Sequence, residues 1–269
     1  MDSGSDAARE LAVQHAAERL RHADSVHRPC EPVSDLIGDD LAAAYAVQRL
    51  VTELQVIGGA HVWGRKMLDL TESHDGPAAA AGTLVDAMLV RDDELVTGRD
   101  LVQPRVATRL TVRLVRDLGA GAGAQAVREA IGAVGAALEI ADLRVVADRA
   151  TAMDVVADNA GAGLVVLGPE RSPRDTPGPW RARLLLDGHP LMPSFETGWD
   201  RTVERLAALA SAVAQHGSPL RAGEVVLLDA FGTATPLAGD GRYAAEVDGD
   251  VIASIRLGAP RPTASEEAS

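Results

Sequence analysis

Apolar and polar residues alternate most clearly between residues 103 and 115, and this period of two predicts a β-strand with one buried face. Arg109 and Arg113 stand on the opposite face, which is therefore predicted to meet something polar. The buried face is predicted to carry Val106, Thr108, Leu110, Val112 and Leu114.

Four other segments carry apolar residues three and four positions apart, which is typical of amphipathic helices. These helices are predicted at residues 6–22, 40–57, 125–140 and 200–216. Asp39 or Asp40 can cap the second of them, because an acidic side chain accepts hydrogen bonds from free backbone N–H groups. The third prediction places Glu139 near the C-terminal end of a helix.

The rest of the chain consists of short Val/Leu-rich runs separated by Gly, Pro and Asp, which predict strands and loops. Asp248-Gly249 between two apolar runs is a strong hairpin signal. Strands are predicted at residues 62–67, 163–168, 181–187, 223–231, 243–247 and 251–257, with a further apolar piece at 83–90 and loops at 71–81 and 169–179.

The order of these elements predicts an α+β fold, because strands and helices do not alternate regularly as they do around a parallel sheet. The strands are expected to form a curled, mostly antiparallel sheet. We predict an N-terminal helical region at residues 1–60, a strand-rich domain at 61–258 and a disordered tail at 259–269.

Composition narrows the possible partners. The formal net charge is −13, and no cluster of Lys or Arg forms the basic face that nucleic acids require. Cys30 is the only cysteine, so no internal disulfide can form, and no run has the length of a membrane span. These features predict a cytoplasmic protein without nucleic-acid or membrane partners.

Several separated segments together resemble the bacterial 2-keto-4-pentenoate hydratases and 4-oxalocrotonate decarboxylases of the fumarylacetoacetate hydrolase superfamily. The resemblance covers roughly residues 8–258, and the ordered set is more specific than any single tripeptide. The segments are Gly64-Arg65-Lys66, Gly82-Thr83-Leu84, Gln103-Pro104-Arg105, Ala137-Leu138-Glu139-Ile140, Ala157-Asp158-Asn159-Ala160, Gly188-His189-Pro190-Leu191 and Pro219-Leu220-Arg221-Ala222-Gly223-Glu224.

The resemblance implies a mixed β-roll core with an N-terminal helical part, assembled into homo-oligomers. In this family a divalent cation, usually magnesium or manganese, binds a small-molecule 2-oxo acid and stabilises its enolate or dienol. Water then adds to the conjugated system, or carbon dioxide leaves it.

The metal site that the resemblance implies is incomplete in this sequence. Family members follow Gln-Pro-Arg with Glu-x-Glu, but this chain has Ala107 and Arg109 there, and only the third ligand position, Glu139, keeps its carboxylate. A single carboxylate is a poor magnesium site, and Arg109 would repel the cation. The sequence therefore predicts no metal ligands and no cofactor, unless Asp69, Glu72 or Asp75 rebuilds the site.

Four residues are candidates for catalysis. Arg109 can take over the positive charge of the metal, either by pairing with Glu139 or by clamping a substrate carboxylate; bound magnesium or manganese at Glu139 would refute this. Lys66 can act as an oxyanion partner or general acid/base, with a surface lysine as the alternative. Asp229 is an acid on an apolar strand that could serve as a general base.

Four further residues are candidates for substrate binding. Arg65 belongs to the retained Gly64-Arg65-Lys66 segment, and Arg105 either binds substrate or braces its strand. Asp158 and Asn159 also lie in a retained segment, although such a pair more often forms a turn or bonds to backbone groups.

Three functions follow from these observations. The first is a diverged, metal-independent lyase or isomerase that acts on a 2-oxo or enol-containing small molecule; the Ala/Arg-rich composition is compatible with a GC-rich bacterium and secondary metabolism. The second is a non-catalytic hydratase-like paralogue that binds a ligand or stabilises a pathway enzyme. The third is an ordinary magnesium-dependent hydratase or decarboxylase.

Overall fold

The computed structural model describes residues 3–69, 79–97, 101–176, 178–237 and 239–258, without the side chains of residues 3–5 and 229. Its helices are α1 (Ser3–Val26), α2 (Ser34–Ile37), α3 (Leu41–Ile57), α4 (Ala124–Ala130), α5 (Ala152–Ala157) and α6 (Trp199–Gln215). Its strands are β1 (Val62–Asp69), β2 (Ala79–Val85), β3 (Glu94–Thr97), β4 (Pro104–Leu114), β5 (Ile131–Asp142), β6 (Leu164–Leu167), β7 (Trp180–Leu186), β8 (His189–Pro190), β9 (Phe195–Thr197), β10 (Val225–Ala230), β11 (Thr235–Pro236), β12 (Gly241–Val247) and β13 (Asp250–Gly258).

The strands form two sheets, as expected for a mixed α+β fold. The first has the order β2-β1-β10-β4-β5-β6, with β11 on β4, and the second has the order β3-β13-β12-β7-β8, with β9 on β7. Most neighbours are antiparallel, but β1 pairs with β10 and β13 pairs with β3 in parallel. Parallel pairing places sequence-distant strands side by side, so the first sheet combines segments from both halves of the chain.

Apolar side chains fill the space on both faces of the first sheet. One cluster joins it to α4 and α6, and another joins it to the second sheet through residues such as Val106, Leu138 and Tyr243. A third packs α1 and α3 against α5 and Ala80 of β2. The N-terminal helices therefore share a core with the strand-rich part of the chain.

Local signals in the sequence hold for α3 and for the last hairpin. The Asp40 side chain accepts a hydrogen bond from Ala43 N at 3.0 Å, so it caps α3 as predicted. Asp248 and Gly249 take φ angles of 52° and 96° between β12 and β13. These left-handed angles suit a two-residue hairpin turn.

The helix predicted at residues 125–140 is wrong. The helix ends at Ala130, and Ile131–Asp142 continues as β5, paired with β4 on one side and β6 on the other. The Ala-rich run fits either period, and pairing with two neighbours decides it. Gly132 allows Val115 to pack closely against the start of this strand, because a Cβ at position 132 would lie 2.1 Å from Val115 Cγ1.

Two other predictions change. The loop predicted at residues 71–81 becomes strand from Ala79 onward, where Ala79, Ala80 and Ala81 are all buried. The remainder of that loop and the predicted disordered tail at 259–269 lie outside the described residues. In the part of the chain that the structure describes, no helix is long and apolar enough to cross a membrane.

Candidate active site

Three strands of the first sheet bring the candidate charges together, with β10 between β1 and β4. Lys66 lies on β1, Arg109 on β4 and Glu139 on β5. Glu139 is in register with Ala107 on β4, and Arg109 is in register with Ala137 on β5. Because side chains two positions apart share a face of a strand, Arg109 and Glu139 project from the same side of the sheet.

Glu139 bridges the two cations. Its Oε2 accepts a hydrogen bond from Arg109 Nε at 2.5 Å, and its Oε1 lies 2.5 Å from Lys66 Nζ. The exposed side-chain fractions are 0% for Glu139, 2% for Lys66 and 11% for Arg109. We call these three residues the charged triad; Arg109 is its most accessible member.

The contact between Lys66 and Glu139 is one of charge rather than an aligned hydrogen bond. Among the described residues, Glu139 Oε1 has no donor in hydrogen-bonding geometry, although Nζ is so near. Nζ instead donates to the carbonyl oxygen of Gly161 at 3.2 Å. The buried Oε1 atom of Glu139 is therefore held close to the Lys66 ammonium group, although that group directs its hydrogen bond to Gly161 O.

Burial and charge move the pKa values of the triad. Burial lowers the pKa of Lys66 to about 8; the Glu139 charge opposes this shift and the Arg109 charge adds to it. Burial alone would raise the pKa of Glu139, but the charges of Arg109 and Lys66 outweigh it and hold the pKa below its ordinary value. Near neutral pH the triad thus carries two positive charges and one negative charge.

A left-handed turn supplies the carbonyl group that Lys66 contacts. Asn159, Ala160 and Gly161 take φ angles of 55°, 57° and 59°, which are unfavourable for the first two residues. Such conformations persist where the surroundings fix them, and they cluster at functional sites. The retained segment thus contributes to the candidate site through a backbone oxygen.

The side chains of Asp158 and Asn159 hold this turn in place. Asn159 accepts from Thr83 N at 2.6 Å and donates to Thr83 O at 2.8 Å, so it clamps β2. The buried Asp158 carboxylate accepts from Arg144 N and Nη1 at 2.5 and 3.3 Å. These contacts favour the backbone-binding alternative over direct substrate binding for this pair.

Arg65 and Arg105 also bond to protein groups rather than to the triad. Arg65 follows Gly64 on β1 and precedes Lys66, so it projects from the other face; it bonds to Thr83 Oγ1 at 2.6 Å and Glu224 at 3.2 Å. Arg105 donates to Ala234 O at 2.6 and 3.1 Å, which braces β4. The side chain of Asp229 lies outside the described part of the chain.

Residue composition gives one further indication of the triad, in addition to the alternation of β4 and the family motifs. Of the 26 Lys and Arg residues, Lys66 is the only lysine and the other 25 are arginine. Gly161 gives no side-chain signal at all, because its contribution is a carbonyl oxygen.

Comparisons with known proteins agree with this fold. The chain is 32% identical to a 2-keto-4-pentenoate hydratase of Burkholderia vietnamiensis, over 91% of this chain and 96% of that protein. It is 30% identical to the TodF product hydratase of Pseudomonas putida, over 87% of this chain and 91% of that protein. No protein-family model matches the chain.

Solved structures share the fold at lower identity. The 4-oxalocrotonate decarboxylase of Pseudomonas putida G7 with magnesium and adipate superposes with a TM-score of 0.84 and 22% identity, over 93% of this chain and 98% of that one. The fumarylpyruvate hydrolase of Pseudomonas aeruginosa with Mn²⁺ and pyruvate has a TM-score of 0.54 and 12% identity, over 74% and 90%.

These structures correct the prediction that no cofactor is involved. The magnesium and Mn²⁺ complexes, together with the calcium and acetate complex of the same decarboxylase (TM-score 0.82, 21% identity, 93% and 98% covered), point to a divalent metal as the cofactor of this fold. The absence of a cofactor, inferred from Ala107 and Arg109, is therefore wrong.

The described residues nevertheless do not fit such an ion as they are arranged. Within them, no group of three or more His, Cys, Asp and Glu side chains could hold a metal. Both carboxylate oxygens of Glu139 face cations, and Asp69 pairs with Arg205 at 2.5 Å. Glu72 and Asp75, the other candidate ligands, lie outside the described ranges.

Proposed function

Because the chain belongs to the 2-keto-4-pentenoate hydratase family of the fumarylacetoacetate hydrolase superfamily, we propose that it is a diverged lyase for a small 2-oxo or enol acid. The charged triad of Lys66, Arg109 and Glu139 would carry its chemistry. One observation carries this proposal: a buried carboxylate lies 2.5 Å from each of two cations. The family resemblance assigns Lys66 and Glu139 to the site.

The charge of the triad favours an anionic ligand. The two cations and one carboxylate of the triad carry a net charge of +1, which the ion pairs among the described side chains do not balance. A buried net charge is costly unless it is paired. A substrate carboxylate would supply the missing negative charge. The site thus suits a monoanionic acid better than a neutral ketone.

Arg109 is the member of the triad that would bind this carboxylate. Its Nε is committed to Glu139 and its Nη1 donates to Leu228 O at 3.2 Å, whereas Nη2 has no hydrogen bond within the described residues. The N–H groups of Nη2 can donate a charge-assisted hydrogen bond to a carboxylate. Arg109 would orient the acid while its side chain stays anchored at both other nitrogens.

Lys66 would then handle the proton and the developing negative charge on the substrate oxygen. Its pKa of about 8 lies close to the pH of a neutral or mildly basic solution, which is where a general acid/base is most effective. Glu139 holds Nζ in place and accepts or returns a proton. Water addition or loss of carbon dioxide would follow from the enol form so stabilised.

The ion pairs of Glu139 also support a second function, in which the triad has only a structural role. Both oxygens of Glu139 are already matched by cations, as in an ion-pair cluster that only stabilises a fold. In that case the protein is a non-catalytic paralogue that binds a ligand or a partner enzyme.

Turnover measurements distinguish these functions. The purified protein is incubated with 2-keto-4-pentenoate, 4-oxalocrotonate, fumarylpyruvate and a panel of smaller 2-oxo acids, with and without added magnesium, and substrate loss is followed by mass spectrometry. We expect consumption of at least one acid, and a loss of at least about 100-fold in kcat for Lys66→Met.

Arg116→Met is the matched control, because Arg116 lies beyond the end of β4 and forms an exposed ion pair with Glu129. It should leave kcat unchanged. Failure of the wild-type protein to consume any of these acids would reject the lyase and support the non-catalytic paralogue.

A further inference from the structure

Lys66 is chemically unique in this chain. Every other basic side chain of the Lys/Arg type is an arginine, including those that form the surface ion pairs. An arginine could also pair with Glu139 or bind an anion, so neither role explains why a lysine stands at this one buried position. A primary amine differs from a guanidinium in that it can lose its proton and attack a carbonyl carbon.

We propose that Lys66 is a nucleophile that forms an imine with the carbonyl carbon of the 2-oxo acid. This inference rests on the proposed function for its substrate class, and it adds a covalent step to it. A 2-oxo acid offers the two groups that the triad can use together: a carboxylate for Arg109 and an electrophilic carbon for Lys66.

The surroundings of Nζ suit this step. Glu139 Oε1 lies 2.5 Å from Nζ, which is close enough for a proton to pass between them during the reaction. The carbonyl oxygen of Gly161, 3.2 Å away, fixes the direction of the amine. Arg109 adds a second positive charge on the same carboxylate, and a neighbouring cation together with desolvation is a known way to activate a lysine nucleophile.

The step balances in atoms, protons and charge. One proton of the Lys66 ammonium group passes to Glu139, and the free amine forms a bond from Nζ to C2 of the acid. Glu139 returns that proton to the former carbonyl oxygen, a second proton passes from nitrogen to the same oxygen, and the oxygen leaves as water. The product is a protonated imine that withdraws electrons from C3, and hydrolysis by one water releases the lysine.

Neighbouring residues restrict this chemistry to compact acids. On one side, the cross-strand partners of Lys66, Glu139 and Arg109 are Gly82, Ala107 and Ala137, which carry little or no side chain. On the other side, Leu227 is paired with Lys66 and Val165 with Glu139, and these larger side chains limit the space. A Cβ at Gly82 would lie 2.2 Å from Asn159 O, so the left-handed turn already occupies the space above it. Small acids such as pyruvate or 2-oxobutanoate are therefore suitable probes.

Reductive trapping tests the proposal directly. The full-length protein is incubated with pyruvate, 2-oxobutanoate and each acid that it turns over, sodium borohydride is added, and the intact mass and peptide map are measured. Because the chain has one lysine, an adduct on a side-chain amine can only be on Lys66, and the α-amino group is separated in the N-terminal peptide. We expect close to one adduct per chain, on Lys66.

Two controls make the result specific. Lactate has the carboxylate but no carbonyl carbon and should give no adduct. Lys66→Arg keeps a cation beside Glu139 but cannot form an imine, so it should lose both the adduct and turnover while its thermal unfolding remains close to that of the wild type.

The outcomes separate this inference from the proposed function. Turnover of a 2-oxo acid without a Lys66 adduct, or full turnover by Lys66→Arg, would overturn the imine and leave the lyase proposal standing. No turnover and no adduct with any acid of the panel would overturn both.

Discussion

At the scale of single residues, Glu139 determines whether the triad is stable. Removing one partner from a buried ion pair leaves an uncompensated charge, which is far more costly than the loss of an exposed pair. Glu139 has two such partners, and its own side chain is fully buried. Substitutions of Arg109, the most accessible member of the triad, should therefore destabilise the fold less than substitutions of Glu139.

Glu139→Gln should lower the free energy of unfolding by about 3–5 kcal/mol, because it leaves Lys66 and Arg109 without a counter-charge. Glu129→Gln is the control, since Glu129 pairs with Arg116 in an exposed position and should cost only about 0–1 kcal/mol. Urea unfolding of both variants measures the difference. Equal, small losses would show that the triad is not electrostatically coupled as described.

Asp158 makes stability depend on pH in a predictable direction. Burial raises the pKa of Asp158 to about 7, against the lowering effect of Arg144. The folded state therefore binds this proton more tightly than the unfolded state, so this group's contribution to stability falls as pH rises from about 4 to 7. Asp158→Asn cannot titrate and lacks that loss.

The stability of Asp158→Asn relative to the wild type should thus improve between pH 5 and pH 8. Urea midpoints of both proteins at the two pH values give the comparison, in which all other titrating groups cancel. A difference that does not change with pH would contradict the raised pKa.

The sequence could reveal the triad but not its supporting contacts. Lys66, Arg109 and Glu139 stand at positions of a family pattern, so they can be found along the chain. Whether Asp158 and Asn159 face a substrate, Arg144 or the Thr83 backbone depends on which segments meet in space. No pattern within one sequence carries that information.

At the scale of elements, β5 shows the limit of periodicity. Its residues fit a helix because Ala and Gly leave few polar positions to define a period, and the pairing of β5 between β4 and β6 overrides the local preference. The strong alternation of β4, the Asp40 cap of α3 and the Asp248-Gly249 turn were predictable, because each depends on local chemistry. The sequence thus predicts the pairing of Glu139 with Arg109 but places Glu139 on a helix instead of a strand.

The register of β4 and β5 predicts how carboxylates added beside Glu139 would change metal binding. Ala107 faces Glu139 across the strands, and Arg109 lies two positions along on the same face. Replacing both by glutamate gives three carboxylates around one point, and hard oxygen ligands suit manganese. Ala107→Glu/Arg109→Glu should bind Mn²⁺ on the order of tenfold more tightly than the wild type in calorimetric titrations.

Ala107→Glu alone is the matched control, because Arg109 still neutralises the carboxylates. Its affinity for Mn²⁺ should stay close to that of the wild type. If the single and double variants bind the ion equally well, Arg109 does not limit metal binding at Glu139.

At the scale of the whole molecule, the division into a helical region and a strand-rich domain at residue 60 does not mark separate cores. Gln48 of α3 donates to Ala81 O and Val156 O, and Tyr45 Oη accepts from Ala81 N. Sequence order suggested two parts, but these buried contacts are visible only in the folded molecule. Assembly into a homo-oligomer remains a prediction from the family.

The shared core predicts a single cooperative unfolding transition for α1–α3 and the two sheets. Differential scanning calorimetry should give a calorimetric enthalpy equal to the van't Hoff enthalpy per cooperative unit. Two resolved transitions, with the N-terminal helices melting first, would show that residues 1–60 behave as an independent region.

The central claim is that Lys66, Arg109 and Glu139 form the binding site for a 2-oxo acid. A crystal structure of the protein grown with pyruvate and magnesium tests it most directly. We predict electron density for pyruvate with its carboxylate on the Arg109 guanidinium group and C2 at Lys66 Nζ, while Glu139 still contacts both cations. A divalent ion coordinated by Glu139 with Arg109 displaced, or pyruvate bound away from the triad, would contradict it.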